Sequence, residues 1–243
     1  MSKTNRADVL VVGAHPDDVE LWVGGIVHGA ACAGRSVAIA DLTRGELASR
    51  GTPEERDQEA RAAADLLGVK TRINLGLKDG AVRNDEPSRI ELVRVVRQLR
   101  PRLVLAPDSR ERHPDHEHAA LLVRDACYVS GLAKFGTGTE PHRPNAVLRY
   151  FDFLVHRMPE IVIDVSESFE TKMEAVRAFK SQFYNPDFDA PETYLSRPEL
   201  YEELEGRARF FGSLIGVRYG EPLLSDLPVP TSEVALLTAG EPR

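Results

Sequence analysis

Four short apolar runs, each followed by a helical stretch, fill residues 8–132 and constrain the fold more than any other feature. Asp8 to Ala14 (DVLVVGA), Ser36 to Thr43 (SVAIADLT), Thr71 to Leu77 and Arg102 to Ala106 (RLVLA) read as strands. Gly24 to Ala33, Pro53 to Leu67, Ser88 to Leu99 and His116 to Leu132 read as the helices that follow them. Ile90, Leu92, Val93, Val96 and Leu99 form the apolar stripe of the third helix. Thr52 stands where it can cap the second helix, with Pro53 in the first turn and Glu54 and Glu55 at the positive end. Strand–helix alternation at this spacing implies right-handed crossovers and parallel neighbours. The expected fold class is α/β, a Rossmann-like sandwich with a mainly parallel central sheet. In such sheets ligands bind beyond the carboxyl ends of the strands, so residues that carry chemistry should follow strands.

The second half is less regular. Ala146 to Phe153 and Ile161 to Val165 read as strands, and Phe169 to Phe183 and Pro198 to Gly216 as amphipathic helices. Residues 184–197 (YNPDFDAPETYLSR), rich in Pro and Asp, read as an irregular loop. There is no internal repeat and no low-complexity linker. Residues 1–243 are therefore expected to form a single domain with its core over residues 8–220 and a decorated C-terminal third. The polar, Pro-containing tail at 228–243 is expected to fray.

Composition narrows the partners. A net charge of −7, with Lys and Arg interspersed among Asp and Glu, argues against nucleic acid and against an anionic membrane surface. Hydrophobic residues, 42% of the chain, supply a substantial core. No run reaches the roughly 18 apolar residues that a membrane span needs. Cys32 and Cys127 form neither a CxxC nor a zinc-ribbon spacing; both are expected to be buried thiols, as suits a reducing compartment. The opening MSKTNRADVL holds no apolar core of signal-peptide length, so the expected location is cytoplasmic. Gly24-Gly25 belongs to no GxGxxG phosphate fingerprint, and close packing of helix on sheet is its expected use.

Chemistry concentrates at two strand exits. Ala14-His15-Pro16-Asp17-Asp18-Val19-Glu20 follows the first strand. Burying a His with two adjacent carboxylates is costly unless a cation compensates them. His15 and Asp18 are three apart, so one helical turn can aim both at one ion. Asp17 must then point elsewhere, free to act on a bound water. Arg112-His113-Pro114-Asp115-His116 follows the fourth strand and repeats His-Pro-Asp at a strand exit. Spacing alone admits His113, His116 or both as ligands. The plainer reading of each segment is a helix cap, with Asp17 or Asp18 capping the first. Both segments fall at strand exits, which favours a shared metal site. A mixed His/Asp set without Cys suits zinc or another borderline divalent ion. Three protein ligands leave a position for water, whose pKa a metal can bring down to about 7.

These residues resemble the LmbE-like (PIG-L) family of zinc-dependent deacetylases of N-acetylglucosamine conjugates. AHPDD after the first strand and the later HPDH carry the likeness. Thr43-Arg44-Gly45-Glu46 is similar to the family's TxGE-type segment, Arg56 with Glu59 to its R..E segment, and Leu77-Lys78-Asp79-Gly80 to its LxDG segment. Lys180-Ser181-Gln182-Phe183 and the overall length resemble the branch that deacetylates N-acetylglucosaminyl malate in bacillithiol biosynthesis.

The resemblance implies a metal-dependent amidohydrolase acting on a small N-acetyl sugar. It implies that His15, Asp18 and His116 hold zinc, or ferrous iron, which suits similar ligands. It implies Asp17 as the general base, His113 as the group that stabilises the oxyanion or protonates the leaving amine, and Asp115 as the residue that orients His113. Glu46, Arg56, Asp79, Arg112 and Tyr194 are the candidates for substrate contact. Each has a plainer alternative: a loop charge for Glu46, a pair with Glu59 or Asp57 for Arg56, turn chemistry for Asp79, a nearby carboxylate for Arg112, and a loop aromatic for Tyr194. The resemblance also implies a homo-oligomer, a trimer or a hexamer built from trimers. Rival readings are a deacetylase of another N-acetyl sugar, such as a chitooligosaccharide or an antibiotic precursor, and a non-catalytic metal- or sugar-binding protein. Pure binding needs neither Asp17 nor His113, which argues against the last.

Overall fold

A computed structural model describes residues 6–152 and 158–238. Strands Val9–Gly13 (β1), Val37–Thr43 (β2), Thr71–Leu77 (β3), Leu103–Pro107 (β4) and Ala146–Tyr150 (β5) form one parallel sheet in the order β3-β2-β1-β4-β5. Val9 of the central strand aligns with Val37 on one side and Leu103 on the other. The order changes direction between β1 and β4, which makes their carboxyl ends the crevice of an open α/β sheet. Helices Asp18–Cys32 (α1), Pro53–Leu67 (α2), Glu86–Leu99 (α3) and Pro114–Val129 (α4) follow the first four strands.

Alternation along the strands divides the core. Val9, Val11, Val37, Ile39, Leu103 and Leu105 pack with α1, α2 and the C-terminal helices. Leu10, Val12, Ala38, Ala40, Val104 and Ala106 face α3 and α4 on the other side. Successive strand residues point to opposite faces, so a strand buried on both reads as a continuous apolar run, as these do. At the start of α2 the Thr52 hydroxyl accepts from the Glu55 amide at 3.2 Å, and the Glu55 carboxylate accepts from the Thr52 amide at 2.8 Å. The expected cap is thus a full capping box.

The C-terminal third adds strand Ile161–Asp164 (β6), helices Phe169–Arg177 (α5) and Glu199–Leu214 (α6), strand Gly220–Leu223 (β7) and a short helix Thr231–Val234 (α7). β6 and β7 form a separate antiparallel ribbon. Among the described residues no helix is long and apolar enough to cross a membrane.

Several boundaries differ from expectation for identifiable reasons. α1 starts at Asp18 rather than Gly24 and breaks at Val23 (φ −138°). The amides of Gly25 and Ile26, just past the break, donate to the Glu221 carboxylate at 3.0 and 2.7 Å. Gly24 and Gly25 do serve close packing, but against Lys172 and Val165 rather than the sheet. α5 stops at Arg177 instead of Phe183; Phe179 and Phe183 are buried from the turns that follow, which mimics a longer stripe. β7 (GEPL) was not expected, since a Gly-Glu-Pro run has no strand periodicity. The strand expected over Ala146 to Phe153 ends at Tyr150, and Phe153 lies outside the described residues. Cys32 is exposed, unlike Cys127, because it sits on the last turn of α1 facing solvent. The tail expected to fray instead carries α7 and buries Leu236 and Leu237 as far as it is described.

Candidate active site

Both strand exits converge at the β1/β4 switch point. Asp17 (φ 113°) turns the chain from β1 into α1 in a left-handed conformation that non-glycine residues rarely adopt. Such strain costs of order 1–3 kcal/mol and persists where surrounding contacts impose it. The Asp17 side chain makes no cap bond, and Asp18 Oδ2 accepts from the amide of His15 at 2.9 Å, so neither carboxylate serves as an ordinary helix cap.

His15 Nδ1 lies 3.7 Å from Asp18 Oδ2 and 3.3 Å from His116 Nε2, and His116 Nε2 lies 3.3 Å from Asp18 Oδ1. Metal–ligand bonds of about 2.1 Å in a tetrahedron put neighbouring ligand atoms about 3.4 Å apart. The His15–His116 nitrogen pair has that separation, and Asp18 meets the two rings through different oxygens, so these donors suit one small divalent ion. Two imidazole nitrogens facing each other beside a buried carboxylate also form a donor set whose chemistry such an ion satisfies. His113 contributes a nitrogen to the same neighbourhood: one nitrogen each of His15, His113 and His116 lie within 4.8 Å of one another.

The other nitrogens of His15 and His116 are held by carboxylates. His15 Nε2 faces Asp79 Oδ1 at 3.2 Å and Asp115 Oδ2 at 3.4 Å. His116 Nδ1 is in a short contact with Glu111 Oε2, and Glu111 Oε1 accepts from the amide of Asp152 at 3.1 Å. Carboxylates behind metal-facing imidazoles fix the tautomer and the ring plane. Burial disfavours charge on His116, but Asp18 and Glu111 outweigh it and raise its pKa to about 10. Burial likewise opposes charge on His15, and Asp115, Asp18 and Asp79 outweigh it, holding its pKa well above the ordinary value. Glu111 was not singled out from sequence. Its signal was slight: an acidic residue in the β4 exit loop, two before His113.

Asp17 is set apart from this cluster. Its Oδ2 accepts from Arg56 Nη2 at 2.8 Å, and both residues are about 5% exposed or less. Burial pushes the Asp17 pKa up to about 7, against the pull of Arg56. Arg56 also donates to the carbonyls of Pro16 and Gly45. Neither sequence expectation for Arg56 matches this: it is buried behind Asp17 rather than open to a substrate, and Glu59 instead accepts from Ser181 at 2.7 Å. Glu20, the remaining carboxylate of the segment, is taken by Arg72 at 2.6 Å.

His113 is the exposed member of the group and caps α4: its Nδ1 accepts from the Asp115 amide at 3.2 Å. That bond assigns the proton to Nε2 in the neutral ring. Burial, with His15 and His116 nearby, lowers the His113 pKa and favours the neutral form. The Asp115 carboxylate was expected to orient His113; instead its oxygens accept from the amides of Gly80 and Val82 at 2.7 and 3.1 Å and face His15. Asp115 reaches His113 through its main chain.

Of the remaining candidates, Glu46 and Asp79 bond to each other's loops, and Arg112 lies near Tyr194. Glu46 accepts from the Asp79 amide at 3.0 Å, and Asp79 Oδ2 accepts from the Leu47 amide at 2.8 Å, which locks the two exit loops together. Burial opposes the Asp79 charge, but His15 and the Leu47 amide bring its pKa down to about 2. The Arg112 guanidinium lies 5.4 Å from the ring centre of Tyr194, and Arg197 lies 4.3 Å from the same ring. Tyr194 is 46% exposed on a short 3₁₀ turn within the expected irregular loop.

A family model described as PIG-L, GlcNAc-PI de-N-acetylase, matches residues 10–127, the span that holds both strand exits. A diacetylchitobiose deacetylase of Thermococcus kodakarensis is 32% identical over 228 residues, covering 88% of this chain and 80% of that protein. A probable N-acetyl-alpha-D-glucosaminyl L-malate deacetylase of Bacillus anthracis is 27% identical over 192 residues, covering 74% and 83%. The crystal structure of a conserved protein of Thermus thermophilus superposes with a TM-score of 0.84 at 38% identity, over 92% of this chain and 96% of that one. With AHPDD and HPDH at the two strand exits and relatives matched along most of its length, the chain belongs to the PIG-L, or LmbE-like, family of deacetylases.

Proposed function

We propose that the chain removes the N-acetyl group from an N-acetylglucosamine conjugate, using a divalent metal held by His15, Asp18 and His116. The observation that carries this reading is the 3.3 Å separation of the facing His15 and His116 nitrogens, with the Asp18 carboxylate against both through its two oxygens, beside a buried Asp17 that is not among them. Zinc is the metal of this reading, and ferrous iron suits the same set. When bound, the ion supplies Lewis acidity, lowering the pKa of water to about 7 and polarising the acetyl carbonyl.

The chain's own groups then handle the protons. Arg56 engages Asp17 Oδ2, leaving Oδ1 to take a proton from water as the water oxygen bonds to the acetyl carbon. The Nε2–H of neutral His113 donates to the oxygen on which negative charge develops. The proton on Asp17 passes to the amine nitrogen as the C–N bond breaks, giving acetate and the free amino sugar. Acid–base assistance of this kind contributes about 10²–10⁴-fold.

For the rest of the substrate, Arg112 beside His113 and the Arg112–Tyr194–Arg197 stack support an anionic aglycone. This favours N-acetylglucosaminyl malate, the bacillithiol precursor. Diacetylchitobiose is the second reading, favoured by the higher identity of the Thermococcus kodakarensis relative. Acetate release from the two compounds and from free N-acetylglucosamine, with metal analysis on the same sample, separates them. Preference for the malate conjugate is expected; faster turnover of diacetylchitobiose would replace it with the second reading, and release from none of them would overturn both. We further read the chain as one domain of a cytoplasmic homo-oligomer, trimer or hexamer; sedimentation as a monomer would contradict the assembly.

A further inference from the structure

α6 lies far from the metal-facing residues in sequence, yet one of its side chains reaches their support. The guanidinium carbon of Arg207 sits 4.6 Å from the ring centre of Phe151, 4.9 Å from Phe211 and 5.5 Å from Trp22. Its Nη2 donates to the carbonyl of Phe151 at 2.7 Å and its Nη1 to the carbonyl of Asp152 at 3.1 Å. The amide of Asp152 donates in turn to Glu111 Oε1, and Glu111 Oε2 contacts His116 Nδ1. Every link is a hydrogen bond or close polar contact.

We propose that Arg207 is a positioning residue for the metal site, acting through the 151–152 main chain and Glu111 on the ring of His116. This rests on the reading of His116 as a metal ligand. Phe151 and Asp152 lie just past the end of β5, so the strand does not fix them by itself. A planar guanidinium can bond two successive carbonyls with its edge while its faces stack on aromatic rings; an ammonium cannot do both. Placing that cation among three rings is opposed by burial, which pulls the Arg207 pKa down to about 10. A pure packing role would be met by an aliphatic side chain at lower cost. The fork suits a task that needs directed donors: holding Asp152 so that its amide meets Glu111.

The test is the zinc dissociation constant of the metal-free protein, measured by competition with a chromogenic chelator, with circular dichroism and Tm on each sample. Arg207→Met keeps the apolar stem and removes the donors. Arg207→Met and Glu111→Gln are each expected to weaken zinc binding about 10–100-fold. The double variant is expected to be no weaker than Glu111→Gln alone, since residues acting in one chain are not additive. Arg207→Lys, with one donor group, should lose less than Arg207→Met. Should Arg207→Met fail to fold, Arg207→Lys in the Glu111→Gln background carries the same comparison. Parent-like zinc affinity in the folded Arg207 variants, or losses that multiply in full with Glu111→Gln, would overturn the proposal. His116→Ala separates the two levels. If it loses zinc while the Arg207 variants keep it, only the relay fails. If it keeps zinc, the ligand assignment fails and the relay with it.

Discussion

Arg56 Nη2 stands 2.8 Å from Asp17 Oδ2, in a pocket where both side chains are buried. Burial raises the Asp17 pKa to about 7, and Arg56 is the largest force holding it down. Removing that cation therefore drives the pKa higher and leaves less of the base ionised at neutral pH. Arg56→Met is expected to move the acid limb of the kcat/KM pH profile to higher pH, with activity recovering as pH rises. Arg56→Lys should fall between. An acid limb that stays in place would show that Asp17 does not set it.

Gly45 provides an independent route to the same pair. It has φ +67°, and a Cβ there would lie 2.1 Å from Arg56 Nη1. Gly45→Ala should displace the guanidinium and reproduce the Arg56 phenotype. Gly76→Ala is the control: φ is +65° but nothing lies within 4 Å of the new methyl. It should cost about 1–2 kcal/mol of backbone strain and leave the pH profile unchanged. Equal effects of the two on the profile would contradict the contact with Arg56.

Much of this was legible in the sequence because it rests on local pattern. Four apolar runs with helical stripes between them specify a parallel sheet, and the two His-Pro-Asp segments mark strand exits without any knowledge of tertiary contacts. What was not legible depends on partners distant in the chain. Arg56 reads as a substrate contact, or as a helix-face partner of Glu59 or Asp57, until α2 is seen to lie against the Asp17 turn, 39 residues away. Glu111 is one acid among many until His116 turns its Nδ1 toward it. Asp115 sits where it could orient His113, but the amides of Gly80 and Val82, over thirty residues away, claim its carboxylate. β7 cannot be read from its composition, because its pairing with β6 makes it a strand.

Lys172 and Glu221 form a buried pair at 2.6 Å, and Glu221 also accepts the two amides beyond the break in α1. Lys172→Met leaves that carboxylate without its cation. Breaking a buried pair from one side costs about 3–5 kcal/mol. For a chain of this size that corresponds to a fall in Tm of roughly 10 °C. Differential scanning calorimetry checks it; an unchanged Tm would mean the pair contributes nothing net.

Metal binding should release protons. In the metal-free protein the pKa of His116 is raised to about 10 and that of His15 stands well above ordinary, so both rings hold protons at pH 7. An ion must displace them, so apparent zinc affinity should rise with pH up to about 10. The same raised pKa contributes stability to the metal-free fold below the unfolded-state value of about 6.5, and that contribution is lost as pH climbs through the folded value. Titration calorimetry in buffers of different ionisation enthalpy reads the proton count directly. Zinc binding with no net release would contradict the charged histidines.

The central claim is a metal held by His15, Asp18 and His116, with Asp17 beside it as base and not as ligand. The most direct measurement is acetate release by Asp17→Asn, with metal content determined on the same sample. The expected result is an undiminished metal stoichiometry and a loss of turnover of about 10²–10⁴-fold. Hydrolysis at the parent rate with the metal in place would contradict the claim.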